Sequence, residues 1–236
     1  MADPRVLVAL ATYNEIENLP SLVDEIRRVL PEADVLVIDD NSPDGTGKWC
    51  DKRAAADSHV QCLHRPGKQG LGSATIAAMW WAIDHSYDVL VTMDADWSHD
   101  PQHLPELVDA TTSADVSIGS RYCRGGAIEG WPLARRVMSR VMNGLSRAVL
   151  RFPINDASGA FRAYRVVALR SVDVSRIQAI GYSYLEETIW LLHRGGATFA
   201  EIPITFHQRR AGTSKINMHE AFDKVTTLAR LALRRS

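Results

Sequence analysis

The first 120 residues alternate between short, almost wholly apolar runs and longer stretches with helical spacing. "RVLVALA" (5–11), "DVLVIDD" (34–40), "HVQCLH" (59–64), "DVLVTMD" (88–94) and "DVSIGS" (115–120) read as strands. Between them, "LPSLVDEIRRVL" (19–30) sets Leu22, Val23, Ile26 and Val29 on one helical face, with Asn18 as the expected cap and Pro20 in the first turn. "GKWCDKRAAAD" (47–57) and "GSATIAAMWWAIDHS" (72–86) read as two further helices. Asp100 and Pro101 are the expected cap and first residue of a short one. Strands apolar on both faces, each followed by a helix, predict an α/β fold with a mostly parallel sheet flanked by helices. Ligands of such sheets collect at the carboxyl ends of the strands. The polar clusters fall there: Tyr13 to Glu15, Asp39 to Asp44, Arg65 to Leu71, Asp94 to Asp96, and Arg121 with Tyr122.

After residue 121 the rhythm changes. A Gly-rich loop leads to a long basic helix (133–150) and the compact "NDASGAFRAYR" (155–165). A helix is expected near 184–194, a strand near 197–206 and a last helix from about 217. No internal repeat or low-complexity linker divides the chain.

Composition narrows the classes. At 46% hydrophobic and 23% charged residues the chain is ordinary globular protein, and a net charge of -1 provides no global field for nucleic acid. Cys50, Cys62 and Cys123 are odd in number and lack CxxC spacing, so they read as reduced thiols of a cytosolic protein rather than a disulfide frame or a zinc site. No signal peptide is visible, and the longest apolar run, Ala74 to Ile83, falls short of the roughly 18–20 residues of a membrane span.

The stretch "TMDADWSHDP" (92–101) carries the sharpest chemistry, because a buried strand ends in two acids one residue apart. In an extended chain such residues share a face with Cβ atoms roughly 6.6 Å apart. Ligands of one magnesium ion lie only about 3 Å from each other. Either the chain curls after Asp94, or one acid alone binds metal directly. Asp96 is the expected direct ligand, with Asp94 touching the nucleotide sugar or a metal-bound water. The bland alternative, that these acids cap the next helix, is weakened because Asp100 already does so. His99 and His103 have zinc-compatible spacing, but Pro101 separates them and no third soft ligand is evident; His103 reads as surface and His99 as a neighbour of the site.

"HRPGKQGLGS" (64–73) spaces its glycines GxxGxG rather than GxGxxG, and "GTGK" (45–48) lacks the rest of a P-loop. Nicotinamide dehydrogenase and P-loop NTPase are thereby disfavoured. Lys68 can still reach a phosphate. Residues 121–151 hold seven arginines against one acid, Glu129, with apolar residues interleaved from Val137 to Leu150. Such a helix suits an anionic membrane surface, or packs its apolar face on the sheet with the arginines solvated. "HQRRAGTSK" (207–215) puts Arg209, Arg210 and Lys215 in a loop able to close over a diphosphate.

Eight segments in order, "ATYNEIENL" (11–19), "VIDDNSPDGT" (37–46), "HRPGKQGLGSA" (64–74), "MDADWSHDP" (93–101), "GSRY" (119–122), "DASGAFRAYR" (156–165), "GYSYLEE" (181–187) and "EIPITFHQRRAGTSK" (201–215), resemble the dolichol-phosphate mannosyltransferase group of family-2 glycosyltransferases. The likeness covers essentially the whole chain. It implies a single GT-A domain over 1–236, with a Rossmann-like nucleotide-sugar half (5–120) and an acceptor half of C-terminal helices (121–236). It implies inverting transfer of mannose from GDP-mannose to a dolichyl or polyprenyl monophosphate, with Mg2+ or Mn2+ as cofactor. By position, Ala11, Tyr13 and Glu15 are expected at the nucleotide, Ile38 and Asp40 near guanine, and Lys68 at a phosphate. Asp94, Ala95 and Asp96 are expected to form the nucleotide and metal centre. Ser98 stands where some relatives carry Gln as a further metal ligand. Arg121, Arg209 and Lys215 are expected at donor or acceptor phosphates, with Ser158 beside Arg121. Ala11 replaces a common Pro, and Leu185 a common Gln. The lipid acceptor implies peripheral attachment to the cytoplasmic face of a membrane, through helix 133–150 and the C-terminal helix or a small membrane-protein partner. The rival readings are a UDP-glucose-dependent lipid glucosyltransferase, a phosphohydrolase with a DxD nucleophile, and a non-catalytic nucleotide-sugar sensor.

Overall fold

The computed structural model describes residues 3–178, 181–208 and 218–234. The first half is β1 (Val6–Thr12), α1 (Leu19–Val29), β2 (Asp34–Asp39), α2 (Thr46–Ala56), β3 (Val60–His64), α3 (Leu71–Asp84), β4 (Val89–Asp94), α4 (Leu104–Asp109) and β5 (Val116–Ser120). The second half is β6 (Ala127–Ile128), α5 (Leu133–Leu150), β7 (Arg162–Arg165), α6 (Val166–Arg170), α7 (Tyr184–Arg194), β8 (Phe199–Pro203), β9 (Thr205–Phe206) and α8 (Met218–Leu233).

Seven strands form one sheet in the order β3-β2-β1-β4-β7-β5-β8, so strands from both halves share it. All neighbours are parallel except β7, which runs antiparallel between β4 and β5. The period of two along β1 explains the layers. Leu7 and Ala9 enter the core shared with α3, α6 and α7, while Val6, Val8 and Leu10 enter the core shared with α1, α2 and α4. Both faces are dry, which is why these strands read as unbroken apolar runs. Strand order reverses between β1 and β4, and their carboxyl ends frame the crevice in which doubly wound sheets bind ligands.

The structure departs from expectation at three places. Asn18 does not cap α1; its amide donates to Glu15 Oε2 at 2.9 Å. The strand expected at 197–206 is two, with β9 leaving the sheet to pair with β6. Strand β7 was not anticipated, since a four-residue run with an arginine at each end looks nothing like an interior strand. On α5, where two orientations were open, the apolar face turns outward. Its small polar residues Asn143 and Ser146 are buried, while Leu133, Val137, Met138, Val141 and Leu145 are 42–76% exposed. Elsewhere local rules hold, as where Asp100 accepts from the N–H of Gln102 at 2.9 Å ahead of Pro101.

The last helix is pinned by charge as well as packing. Leu228 and Leu231 join the core. Buried Glu187 on α7 meets Arg230 at 3.2 Å and Arg234 at 3.6 Å. Among the described residues no helix is long and apolar enough to cross a membrane.

Two glycines give a stability test. A Cβ on Gly72 would stand 3.1 Å from Cγ of Tyr184, forcing that buried ring to move, whereas one on Gly144 of α5 would meet nothing within 4 Å. Gly72→Ala is expected to destabilise by about 1 kcal/mol or more through overpacking. Gly144→Ala is expected to stabilise by about 0.8–1 kcal/mol through helix propensity. Urea midpoints at unchanged slope measure both.

Candidate active site

The site begins where three neighbouring strands end together. Ala11 on β1 lies in register with Ile38 on β2 and with Asp94 on β4. These three, with Leu71, Thr75 and Tyr184 among others, line a pocket at the carboxyl edge of the sheet. Tyr184 is buried, its hydroxyl donor-acceptor pair being Thr75 Oγ1 at 3.1 Å. Burial pushes its phenol pKa up, so the ring stays neutral.

The chain does curl after Asp94. β4 stops there, and Trp97 takes a left-handed backbone with φ of 65°. Asp96 folds inward, buried, and its Oδ1 accepts the N–H of Ser98 at 3.0 Å. The backbone N–H of Asp94 donates to His99 Nδ1 at 3.1 Å, which places the ring proton on Nε2. His99 is buried against Phe161, with ring centroids 5.0 Å apart, and edge-on to Phe206. Burial pushes its pKa down to about 4, more than the nearby Asp96 raises it. A neutral imidazole thus closes the acid-bearing turn. Of the two alternatives the sequence left open, the backbone takes the curled one.

The donor set fits a hard divalent ion. Asp94 and Asp96 supply carboxylates. The Ser98 hydroxyl is buried with no hydrogen-bond partner among the described residues, an orphan that a cation would satisfy.

The other expected residues are placed as follows. Tyr13 is exposed, and Lys68 Nζ sits 4.3 Å from its ring centroid, so the two are brought together. The N–H of Glu15 donates to Thr46 Oγ1 at 3.1 Å, and its carboxylate accepts from Asn18. Ile38 is buried at the pocket. Asp40 is buried against Arg65, whose Nε donates to Oδ1 at 2.5 Å, and its Oδ2 accepts from the N–H groups of Gln69 and Gly70. Asp40 therefore shapes the Gly-rich loop. Arg209 and Lys215 lie outside the described residues.

Arg121 is buried at the end of β5 and already paired. Its Nε and Nη2 each donate to Asp156 at 2.7 Å, and Nη2 also to Ser158 Oγ at 2.8 Å. Burial alone would raise the Asp156 carboxyl, but the guanidinium outweighs it and holds that carboxyl below the usual range. The pair is neutral as a unit, and no described residue takes Nη1. Asn143, on the buried side of α5, accepts the N–H groups of Ala157 and Ser158 at 2.9 and 3.2 Å and donates to Ser158 Oγ at 2.9 Å. Glu201 on β8 holds the same turn by accepting from Asn155 and Asp156. Asp156 and Asn143 were not singled out from sequence. "DASG" is the only signal for the first, and nothing marked the second.

Breaking this pair tests its structural weight. Asp156→Asn leaves the Arg121 charge buried without a counterion, and unfolding stability is expected to fall by about 3–5 kcal/mol in chemical denaturation.

The glycosyl transferase family 2 model matches residues 7–173. The undecaprenyl-phosphate mannosyltransferase of Micrococcus luteus is 43% identical over 229 residues, covering 97% of this chain and 94% of that one. The polyprenol monophosphomannose synthase of Mycolicibacterium smegmatis is 43% identical over 226 residues, covering 94% of this chain and 85% of that one. In fold, glucosyl-3-phosphoglycerate synthase from Mycobacterium tuberculosis, solved with Mn2+, UDP and its product, superposes with a TM-score of 0.69 at 20% identity, over 97% of this chain and 80% of that one. The mixed sheet is thus that of GT-A-like enzymes, and the chain belongs to glycosyl transferase family 2.

Proposed function

We propose that the protein transfers mannose from GDP-mannose to a polyprenyl monophosphate with inversion at the sugar, working at a membrane surface. Both mannosyltransferase relatives have names that specify a polyprenyl acceptor. The observation in this chain that carries the reading is the exposed apolar face of α5, whose buried side holds the Arg121–Asp156–Ser158 turn through Asn143. This supports a reading in which the surface that meets lipid and the residues that receive the acceptor phosphate are joined through Asn143.

The nucleotide lies across Ala11, Tyr13 and Glu15, over Ile38 and the loop set by Asp40, with Lys68 reaching phosphate from beside Tyr13. Asp94, Asp96 and Ser98 would hold Mg2+ or Mn2+, which supplies neutralisation of the departing diphosphate. Arg209 and Lys215 add positive charge to the same group. A lipid monophosphate, with a second pKa of about 6, is largely dianionic near neutral pH and attacks without a general base. Because Arg121 is paired with Asp156, it offers the acceptor directed N–H donors and alignment rather than net charge. Relief of repulsion between the two anionic substrates falls to Lys68, Arg209, Lys215 and the ion.

Purified protein incubated with polyprenyl phosphate, divalent metal and labelled GDP-mannose is expected to deliver label to the organic phase, and EDTA to abolish it. UDP-glucose in a parallel tube distinguishes the sugar. Lack of lipid-linked product from either donor overturns the reading. Asp96→Ala is expected to lose about 10²-fold or more in turnover, and Asp94→Ala to weaken GDP-mannose binding as well. Turnover near wild type for Asp96→Ala at saturating metal would remove the metal assignment.

Membrane docking has its own test. Arg136, Arg140 and Arg147 are exposed on the helix that presents the apolar stripe, and a fully buried aliphatic side chain is worth about 1.5–3 kcal/mol. Met138→Glu with Val141→Glu is expected to abolish flotation with anionic vesicles while leaving turnover on a short, water-soluble acceptor intact.

A further inference from the structure

The three cysteines carry no metal-site spacing in sequence, yet the fold brings two of them together with a histidine and an acid. Cys62 and His64 are two apart on β3 and so share a face. α2 packs over that strand and lowers Cys50 and Asp51 onto it. One donor atom from each of Asp51, Cys62 and His64 lies within 4.8 Å of the other two. His64 Nε2 is 2.7 Å from Asp51 Oδ1, and both side chains are about half exposed, free to turn. Zinc bonds of about 2.0–2.3 Å in a tetrahedron put ligands about 3.3–3.8 Å apart, so small rotations close the site.

We propose that Asp51, Cys62 and His64 form a binding site for Zn2+, separate from the Asp94–Asp96 centre. A thiolate and an imidazole select a borderline-soft ion, whereas the all-oxygen set at Asp94, Asp96 and Ser98 selects a hard one. The three side chains leave a fourth position for water. Buried Cys50 is the supporting group. Its sulfur donates to the carbonyl of Gln61, the residue before Cys62, at 3.8 Å. Cys62 is the ligand, and Cys50 braces its strand through the Gln61 carbonyl.

The site adjoins the nucleotide half. His64 is in register with Asp39, and a Cβ on Gly47 would stand 2.8 Å from Asp39 Oδ2 and 3.1 Å from the His64 ring. Asp39 in turn gathers Thr12 and Ser42. An ion on His64 and Asp51 ties α2 to β3 behind the 39–47 loop, stiffening the rim on which the base rests.

Cobalt(II) titration of the full, EDTA-stripped protein reads the site directly, because a thiolate-to-cobalt charge-transfer band reports sulfur ligation and carboxylate sites give none. The expected result is one such band per chain, displaced by equimolar Zn2+. It is lost in Cys62→Ser and weakened at least about tenfold in affinity in His64→Ala. It is retained in Cys50→Ser and Cys123→Ser, whose cysteines are not ligands. Zn2+ is expected to raise the thermal midpoint of wild type but not of Cys62→Ser. A wild type without the band, or a band that survives Cys62→Ser, overturns the proposal; neither outcome touches the mannosyl-transfer reading.

Discussion

The buried ion pair between Arg121 and Asp156 is the constraint on which the second half of the molecule depends. A guanidinium and a carboxylate removed from water are tolerated only with near-complete hydrogen bonding. Here that requirement recruits partners from every surrounding element. Arg121 directly follows β5, Asn143 reaches in from α5, and Glu201 reaches in from β8. The turn at 155–158 is therefore fixed in place, and β7, which begins four residues later, is threaded antiparallel between β4 and β5. Arg162 adds to this by donating to the carbonyls of Ala157 and Leu185, tying the turn to the start of α7.

The same network explains why α5 is inside out. Its middle makes interior hydrogen bonds at Asn143 and Ser139, since what it covers there is a polar turn, and Val149 and Leu150 at its end pack on the apolar core. Two leucines, two valines and Met138 are left facing outward. In water alone that arrangement leaves a large apolar stripe unpartnered. At an anionic lipid surface the stripe and its flanking arginines are both satisfied.

On the nucleotide side the governing fact is the register of β1 with β4. It sets Ala11 beside Asp94 at the point where strand order reverses. The chain curls through Trp97, and His99 closes the turn by accepting from the N–H of Asp94, so the backbone after β4 is not extended.

Much of this was legible before any coordinates. The alternation of apolar runs and helical stretches determined the parallel half of the sheet, because residues buried on both faces leave an unmistakable pattern. The clustering of acids and basic residues after those runs marked the site edge, since parallel topology sends every carboxyl end to one side. Strand β7 was hidden because Arg162 is buried through hydrogen bonds rather than hydrophobicity, and no local pattern reports that. The two faces of α5 were visible in the sequence, but which one turns inward depended on the polar turn it meets. The pairing of Arg121 with Asp156, and the meeting of Asp51, Cys62 and His64, join residues on different elements. Sequence by itself determined which chemistry was present; only tertiary structure decided which groups face one another, because contact between distant residues follows from packing and not from spacing along the chain.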